Sequence, residues 1–243
     1  LGRRTPIVPP ETAFTARFTV ADIDMAHVAG YRKAIGFRGD HVPLTYWYLL
    51  AQRAQLALML DRRFPYPLAG LIHRRNDLRQ HALLQTGALD IDVAVKLLQA
   101  LDGVPKIAFD VGISQAGQLV VSCASEYRIP ARKRNKPAGQ TGADQFPQSF
   151  AQIDWSIDQA AIRRYAVVSG DYNPIHLSAL LARLFGSKGA LAHGMYSVGR
   201  AAAHIERQLA RPLTAISADF RRPILLPAQV VFGHESLDAR SGC

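Results

Sequence analysis

The feature of this sequence that most restricts its fold is the same order of elements in two successive halves. Each half is predicted to hold a strand, a short helix, a long helix and then further strands. The segments Tyr31–Gly36 and Tyr165–Gly170 share a Tyr-x4-Gly pattern, 134 positions apart (31 to 165). A long helix followed by antiparallel strands can bury its apolar stripe against a sheet. We therefore predict an α+β fold made of two similar halves.

The predicted elements follow from hydrophobic periodicity and from turn residues. In the first half, strands are expected at 14–20, 71–76, 88–97, 106–114 and 118–129, with a long helix at 44–60. The last two strands are separated by Gln115–Gly117, which favours a hairpin. In the second half, strands are expected at 154–157, 214–220 and 229–235, with helices at 159–168 and 195–209.

Composition restricts the class of protein further. The chain has 243 residues, of which 49% are hydrophobic and 20% charged, enough for one large domain or two smaller ones with a sizeable core. The longest apolar stretch, 42–60, is interrupted by Thr45, Gln52, Arg53 and Gln55. It therefore predicts a buried core helix and no membrane span. The two cysteines cannot form a disulfide framework, so we expect a cytoplasmic protein.

The formal net charge of +10 favours an anionic partner. Basic patches interleaved with aromatic residues are missing from the sequence, so nucleic-acid binding is not expected. The densest basic run, 128–136, leads into a polar stretch containing Gly and Pro. We interpret 1–135 as the first domain, 136–149 as a linker and 150–243 as the second domain.

One segment carries residues suited to acid–base chemistry. Asp171 and His176 flank a turn stiffened by Pro174, so that a carboxylate and an imidazole could converge on one water molecule. Further along, Gly194 stands at the start of the second long helix. Unpaired backbone N–H groups and the positive end of the helix dipole could hold a carbonyl oxygen there as it gains negative charge.

These residues resemble a known family. The motif YAVVSGDYNPIHLSALLA at 165–182, with AHGM at 192–195, is similar to the MaoC-like dehydratases, which include the (R)-specific enoyl-CoA hydratases. The resemblance implies a double hotdog fold, in which each long helix is wrapped by a curled antiparallel sheet. It implies reversible addition of water to an enoyl thioester, with Asp171 and His176 as the catalytic pair. The Gly194 amide would bind the thioester oxygen, and Asn173 would support the loop.

Other residues around the motif receive secondary roles. Ser169, Gly170 and His193 are expected to support the loop. Met195, Arg221 and Arg222 are candidates for substrate binding. Metal-ligand spacing such as H-E-x-x-H does not occur, so we expect no metal. We expect no cofactor beyond the substrate carrier, which would be coenzyme A or an acyl carrier protein.

The first half should lack an active site of its own. At the offset of 134, Phe37 and Val42 stand where the second half has Asp171 and His176, and neither can titrate. The nearby Asp40 and His41, and also His73, are expected to be structural. The second half is shorter after its long helix than the first, so we expect its hotdog to lack its last strands, with an exposed sheet edge.

Two alternatives to a hydratase remain open on the sequence. One is a non-catalytic subunit that binds acyl thioesters, and the other is a hotdog thioesterase, which would release free thiol. The oligomeric state also has two possibilities, because a double hotdog within one chain can be a monomer or can form a homodimer.

Overall fold

The computed structural model describes residues 12–68, 70–99, 105–129, 151–184 and 186–234. The predicted linker at 136–149 and the chain end after His234 lie outside these ranges. None of the helices in the described residues is long and apolar enough to cross a membrane.

The described part of the first half contains two α-helices and five strands. Strand β1 (Thr12–Val20) leads to helix α1 (Met25–Ile35), and a 3-10 turn at Leu44–Tyr46 leads into helix α2 (Trp47–Met59). The remaining strands are β2 (Ile72–Gln80), β3 (Leu89–Gln99), β4 (Pro105–Gln115) and β5 (Gln118–Arg128). The predicted hairpin between β4 and β5 is confirmed, and its turn places Ala116 and Gly117 at positive φ.

The second half repeats this order over a shorter described length. Strand β6 (Ala151–Ile157) is followed by helices α3 (Gln159–Ser169), α4 (Pro174–Leu177), α5 (Ala179–Leu184) and α6 (Gly194–Leu209), then by strands β7 (Ala215–Asp219) and β8 (Ala228–His234). Helices α1 and α3 begin at 25 and 159 and end at 35 and 169, so the predicted offset of 134 holds for both ends.

The ends of these two helices repeat as well. The Asp24 side chain accepts two backbone N–H groups at the N-terminus of α1, and the Asp158 side chain accepts one at that of α3, which satisfies donors that each helix leaves unpaired. Gly36 and Gly170 each close the C-terminus in the left-handed conformation, with φ of 100° and 74°. The Tyr-x4-Gly repeat therefore marks a shared helix with its cap.

The sheets divide the strands unequally between the halves. Six strands form one antiparallel sheet in the order β1-β3-β4-β5-β2-β7, while β6 and β8 form a separate antiparallel pair. Strand β7 thus extends the sheet of the first half by pairing with β2. In the described part of the second half, no strands correspond to β4 and β5 of the first.

Each long helix packs on its own layer. Helix α2 buries an apolar surface that includes Trp47, Leu50 and Leu58, and it contacts β1, β3, β4 and β5. Helix α6 contacts the β6–β8 pair through Arg200, which lies over the Trp155 ring of β6. Trp155 in turn stacks on Phe232 of β8, with ring centroids 4.7 Å apart. Helix α1 contacts both α3 and α6, so the helices of the two halves share one core.

Candidate active site

The segment between α3 and α6 places the predicted catalytic residues. Gly170 ends α3 with a left-handed φ, which turns the chain toward Asp171. The Asp171 N–H donates to the Ser169 hydroxyl at 3.2 Å, and the Asp171 Oδ1 accepts the N–H of Asn173 at 3.2 Å. The Asn173 side chain in turn accepts the Ile175 N–H at the start of α4. The supporting residues expected from the motif therefore build this turn.

His176 is fixed by the strand-like segment that precedes α6. Its Nδ1 lies 2.9 Å from the carbonyl oxygen of Leu191, and because a carbonyl only accepts, Nδ1 must carry the proton. The Leu191 N–H donates to the Ile175 carbonyl at 3.0 Å, which ties the two segments together. This pairing leaves the Nε2 lone pair of His176 available to take a proton.

His193 connects the turn that holds Asp171 to the beginning of α6. Its Nε2 lies 3.1 Å from the backbone carbonyl of Asp171, to which it donates, and 3.9 Å from Asp171 Oδ2. Its ring lies against that of His176, with centroids 3.8 Å apart. Since His193 precedes Gly194 directly, the same side chain fixes the distance between the turn and the helix N-terminus.

Burial keeps both imidazoles neutral near neutral pH. Desolvation lowers the pKa of His176 below its usual 6.5, although the negative charge of Asp171 and the Leu191 carbonyl partly oppose this. Desolvation lowers the pKa of His193 as well, and a positive charge on His176 lowers it further. A neutral His176 with a free Nε2 is in the form that a general base requires.

Gly194 begins α6 in a crowded position. A Cβ at this residue would lie 2.7 Å and 2.8 Å from ring carbons of Phe220, so the absence of a side chain is a steric requirement. The residues just before α6 form a short antiparallel contact with the chain after β7, in which Ala192 N–H donates to Ile224 at 2.9 Å. Within the described part of the chain, the N–H groups of Gly194 and Met195 have no backbone acceptor.

The substrate-binding candidates occupy different surroundings. The side chain of Met195 is buried in the hydrophobic core. Arg221 and Arg222 are exposed and follow Phe220, the residue that packs on Gly194. The arginines therefore directly follow a residue that contacts the N-terminus of α6, and their own contact with substrate stays a prediction.

Two contributors to the site were missed by sequence reasoning. Phe220 shields Gly194, and Gln52 of α2 donates from Nε2 to Asp171 Oδ2 at 2.9 Å. A signal for Gln52 was present in the sequence, because it is one of three polar side chains that interrupt the apolar sequence of α2. No local signal marked Phe220, since its contact with Gly194 depends on how β7 joins the sheet.

Three potential metal ligands also meet here. One ligand atom from each of Asp171, His176 and His193 lies within 4.8 Å of the others. The hydrogen bonds described above occupy His176 Nδ1 and His193 Nε2, which leaves one nitrogen of each ring free. The spacing of these residues did not reveal the cluster, and the expectation of no metal stays a prediction.

His73 of β2 lies deeper in the first half. Its ring stacks on Tyr127 with centroids 4.5 Å apart and contacts Phe220 at 4.8 Å. Its Nε2 is buried without a hydrogen-bond partner in the described part of the chain. Burial lowers the pKa of His73 from 6.5 to about 4.

We expect His73 to make folding stability depend on pH. A histidine with a depressed folded-state pKa favours folding above 6.5, and this contribution is lost as pH falls toward 4, because the unfolded chain binds the proton more readily. Between pH 7 and pH 4 the loss should be about 3 kcal/mol. His73→Phe preserves the stacked ring, so urea unfolding should show a smaller loss for this variant. Equal losses in both proteins would contradict the assignment.

Comparisons with known proteins show what this chain is similar to. A family model described as a MaoC-like domain matches residues 143–243. The chain is 32% identical over 234 residues to 3-hydroxyacyl-thioester dehydratase X of Mycobacterium tuberculosis, covering 92% of this chain and 81% of that protein.

Solved structures support the fold. The crystal structure of HtdX from Mycobacterium tuberculosis superposes with a TM-score of 0.70 at 29% identity, over 93% of this chain and 91% of that one. A conserved hypothetical protein of the same organism, described as a double hotdog, superposes with a TM-score of 0.58 at 13% identity, over 97% of this chain and 93% of that one. The predicted double hotdog fold is confirmed.

Proposed function

Because this chain belongs to the MaoC-like dehydratase family, we propose that it dehydrates (3R)-3-hydroxyacyl thioesters and catalyses the reverse hydration of trans-2-enoyl thioesters. The observation that carries the proposal is the convergence of Asp171 and His176, whose ligand atoms lie within 4.8 Å of each other and of His193. The relative named a 3-hydroxyacyl-thioester dehydratase supports the class of substrate.

In hydration, a water molecule would lie between the Asp171 carboxylate and the His176 Nε2. The pair accepts a proton as the water oxygen bonds to C3, and a proton is returned at C2, so that the double bond is consumed. The thioester oxygen gains negative charge during this step. The N–H of Gly194 at the positive end of α6 would donate to it, which stabilises the enolate-like transition state. Dehydration follows the same path in reverse.

The proposed chemistry needs no cofactor apart from the thioester carrier. Coenzyme A and an acidic acyl carrier protein both suit the net charge of +10. A carrier protein would be steered by the charged surface over a longer range than coenzyme A, so salt should raise its KM more steeply. Arg221 and Arg222 are the residues proposed to meet carrier phosphates.

We expect purified protein to remove the enoyl-thioester absorbance of crotonyl-CoA without releasing free thiol. Protein treated with a chelator should retain the same rate, because the acid–base pair acts without a metal ion. A panel of longer enoyl chains on coenzyme A and on acyl carrier protein extends the measurement. Folded protein that turned over no member of the panel, or that released thiol instead, would contradict the proposed reaction.

A further inference from the structure

The first half of the chain reaches directly into the acid–base site. Gln52 of α2 donates from Nε2 to Asp171 Oδ2 at 2.9 Å, across 119 positions of sequence. Because a carboxylate offers only acceptors in its ionised form, the amide nitrogen must face it. The following residue, Arg53, places its Nη2 3.7 Å from the position that a Gly170 Cβ would occupy. Two successive residues of α2 therefore lie over the turn formed by Gly170 and Asp171.

The two oxygens of Asp171 have donors of different origin. Oδ1 accepts the N–H of Asn173, which belongs to the same turn, whereas Oδ2 accepts the amide of Gln52 from the other half. Rotation of a carboxylate about its last torsion is broadly permitted. A local donor on one oxygen restricts this rotation only partly, and a donor on the second oxygen, held by a different helix, fixes the plane of the carboxylate.

The helical setting of Gln52 supports a specific role. Neighbouring residues of α2 such as Leu49 and Leu50 are buried in the core, while Gln52 is half-buried. A second amide on the same helix, Gln55, is fully buried, and it donates to Ser125 Oγ at 2.9 Å and accepts from Tyr127 OH at 3.1 Å. Gln55 therefore stabilises the packing of the first half. Gln52 instead donates a hydrogen bond to the Asp171 carboxylate in the second half.

We propose that Gln52 is a positioning residue that orients Asp171 for proton transfer, so that the first half contributes to the chemistry as well as to packing. This inference rests on the proposed function. It implies that Asp171 and His176 are fully ordered as a pair only when α2 is packed on the turn that holds Asp171.

Two substitutions at Gln52 test the proposal. Gln52→Met preserves the length of the side chain and removes the donor. For an enoyl thioester that the parent converts, kcat should fall on the order of tenfold, while KM stays within about twofold of the parent value. Gln52→Glu donates like glutamine when protonated and repels Asp171 when ionised. The ratio of its kcat to that of the parent should therefore decrease as pH rises.

Gln55→Met is the matched control, because it removes an amide from the same helix without touching Asp171. It should lower the Tm and leave kcat per folded molecule within about twofold of the parent. A Gln52→Met variant with unchanged kcat, or a Gln52→Glu ratio independent of pH, would overturn the proposal.

A crystal structure of Gln52→Met separates this proposal from the proposed function. We expect the Asp171 carboxylate to be rotated, with His176 and His193 in place, whether or not the parent turns over a thioester. Absence of turnover by the parent would count against the proposed function alone. An unrotated carboxylate would count against Gln52 alone.

Discussion

Asp171→Asn is expected to reduce kcat for crotonyl-CoA hydration by at least about a thousandfold, within the range that a positioned acid–base group contributes. Asparagine is nearly the same size as aspartate and still offers one oxygen to the donors around it. It cannot accept a proton at neutral pH. The expected loss therefore reflects chemistry more than packing. The measurement is the rate at which enoyl-thioester absorbance disappears under substrate saturation.

Asp40→Asn is a suitable control for this substitution. Asp40 is exposed and follows α1 in the first half, as Asp171 follows α3 in the second. Its neighbour His41 lies 3.0 Å from Glu206 on α6, which is a structural contact between the halves. We expect the control to retain parental kcat. Comparable activity of Asp171→Asn and the parent would remove Asp171 from the mechanism.

Much of the fold could be predicted because its signals are local. The bounds of α6 and the turn between β4 and β5 are determined by short segments, and both were predicted within a residue or two. Strand β2 was predicted to end at Asn76 and continues to Gln80. Its last residues include Asp77 and Arg79, which are polar because they line the outer face of the sheet. The alternation is weak in this strand because the inward-facing Asn76 is also polar, which leaves Leu78 as its buried apolar residue.

The arrangement of the strands was harder to predict. Strand β7 belongs by sequence to the second half, yet it pairs with β2 through registers such as Asn76 with Ala218. Pairing between distant strands depends on complementary edges and on packing of the whole domain, and neither is visible in a short window. The sequence therefore predicted two separate sheets more evenly divided than those observed.

The difference between local and long-range signals also applies to the candidate site. Asp171, His176 and the turn between them lie within a few residues, so motif and chemistry together mark them as candidates. Gln52 and Phe220 reach the site from other elements, and their contacts exist only after the halves have packed. An amide within an apolar helix is a usable signal for such a residue, because burying an unpaired polar group is costly and predicts a partner.

The crowding at Gly194 leads to the second large expected effect. A methyl group at this position would lie 2.7 Å from the Phe220 ring, closer than van der Waals contact permits. Gly194→Ala must therefore displace either Phe220 or the first turn of α6, although the backbone N–H itself is retained. A displacement near 1 Å is enough to cost about a hundredfold in rate. We expect kcat/KM to fall by about that amount.

A second substitution can separate displacement from other causes. In Gly194→Ala with Phe220→Leu, the smaller side chain makes room for the new methyl group, so kcat/KM should recover by about tenfold relative to Gly194→Ala alone. Gly199→Ala is the control on the same helix, since its Cβ would lie 3.2 Å from Ile35 and away from the turn. It should affect Tm more than kcat/KM. If the double variant were no more active than the single one, steric pressure from Phe220 would not explain why this helix begins with glycine.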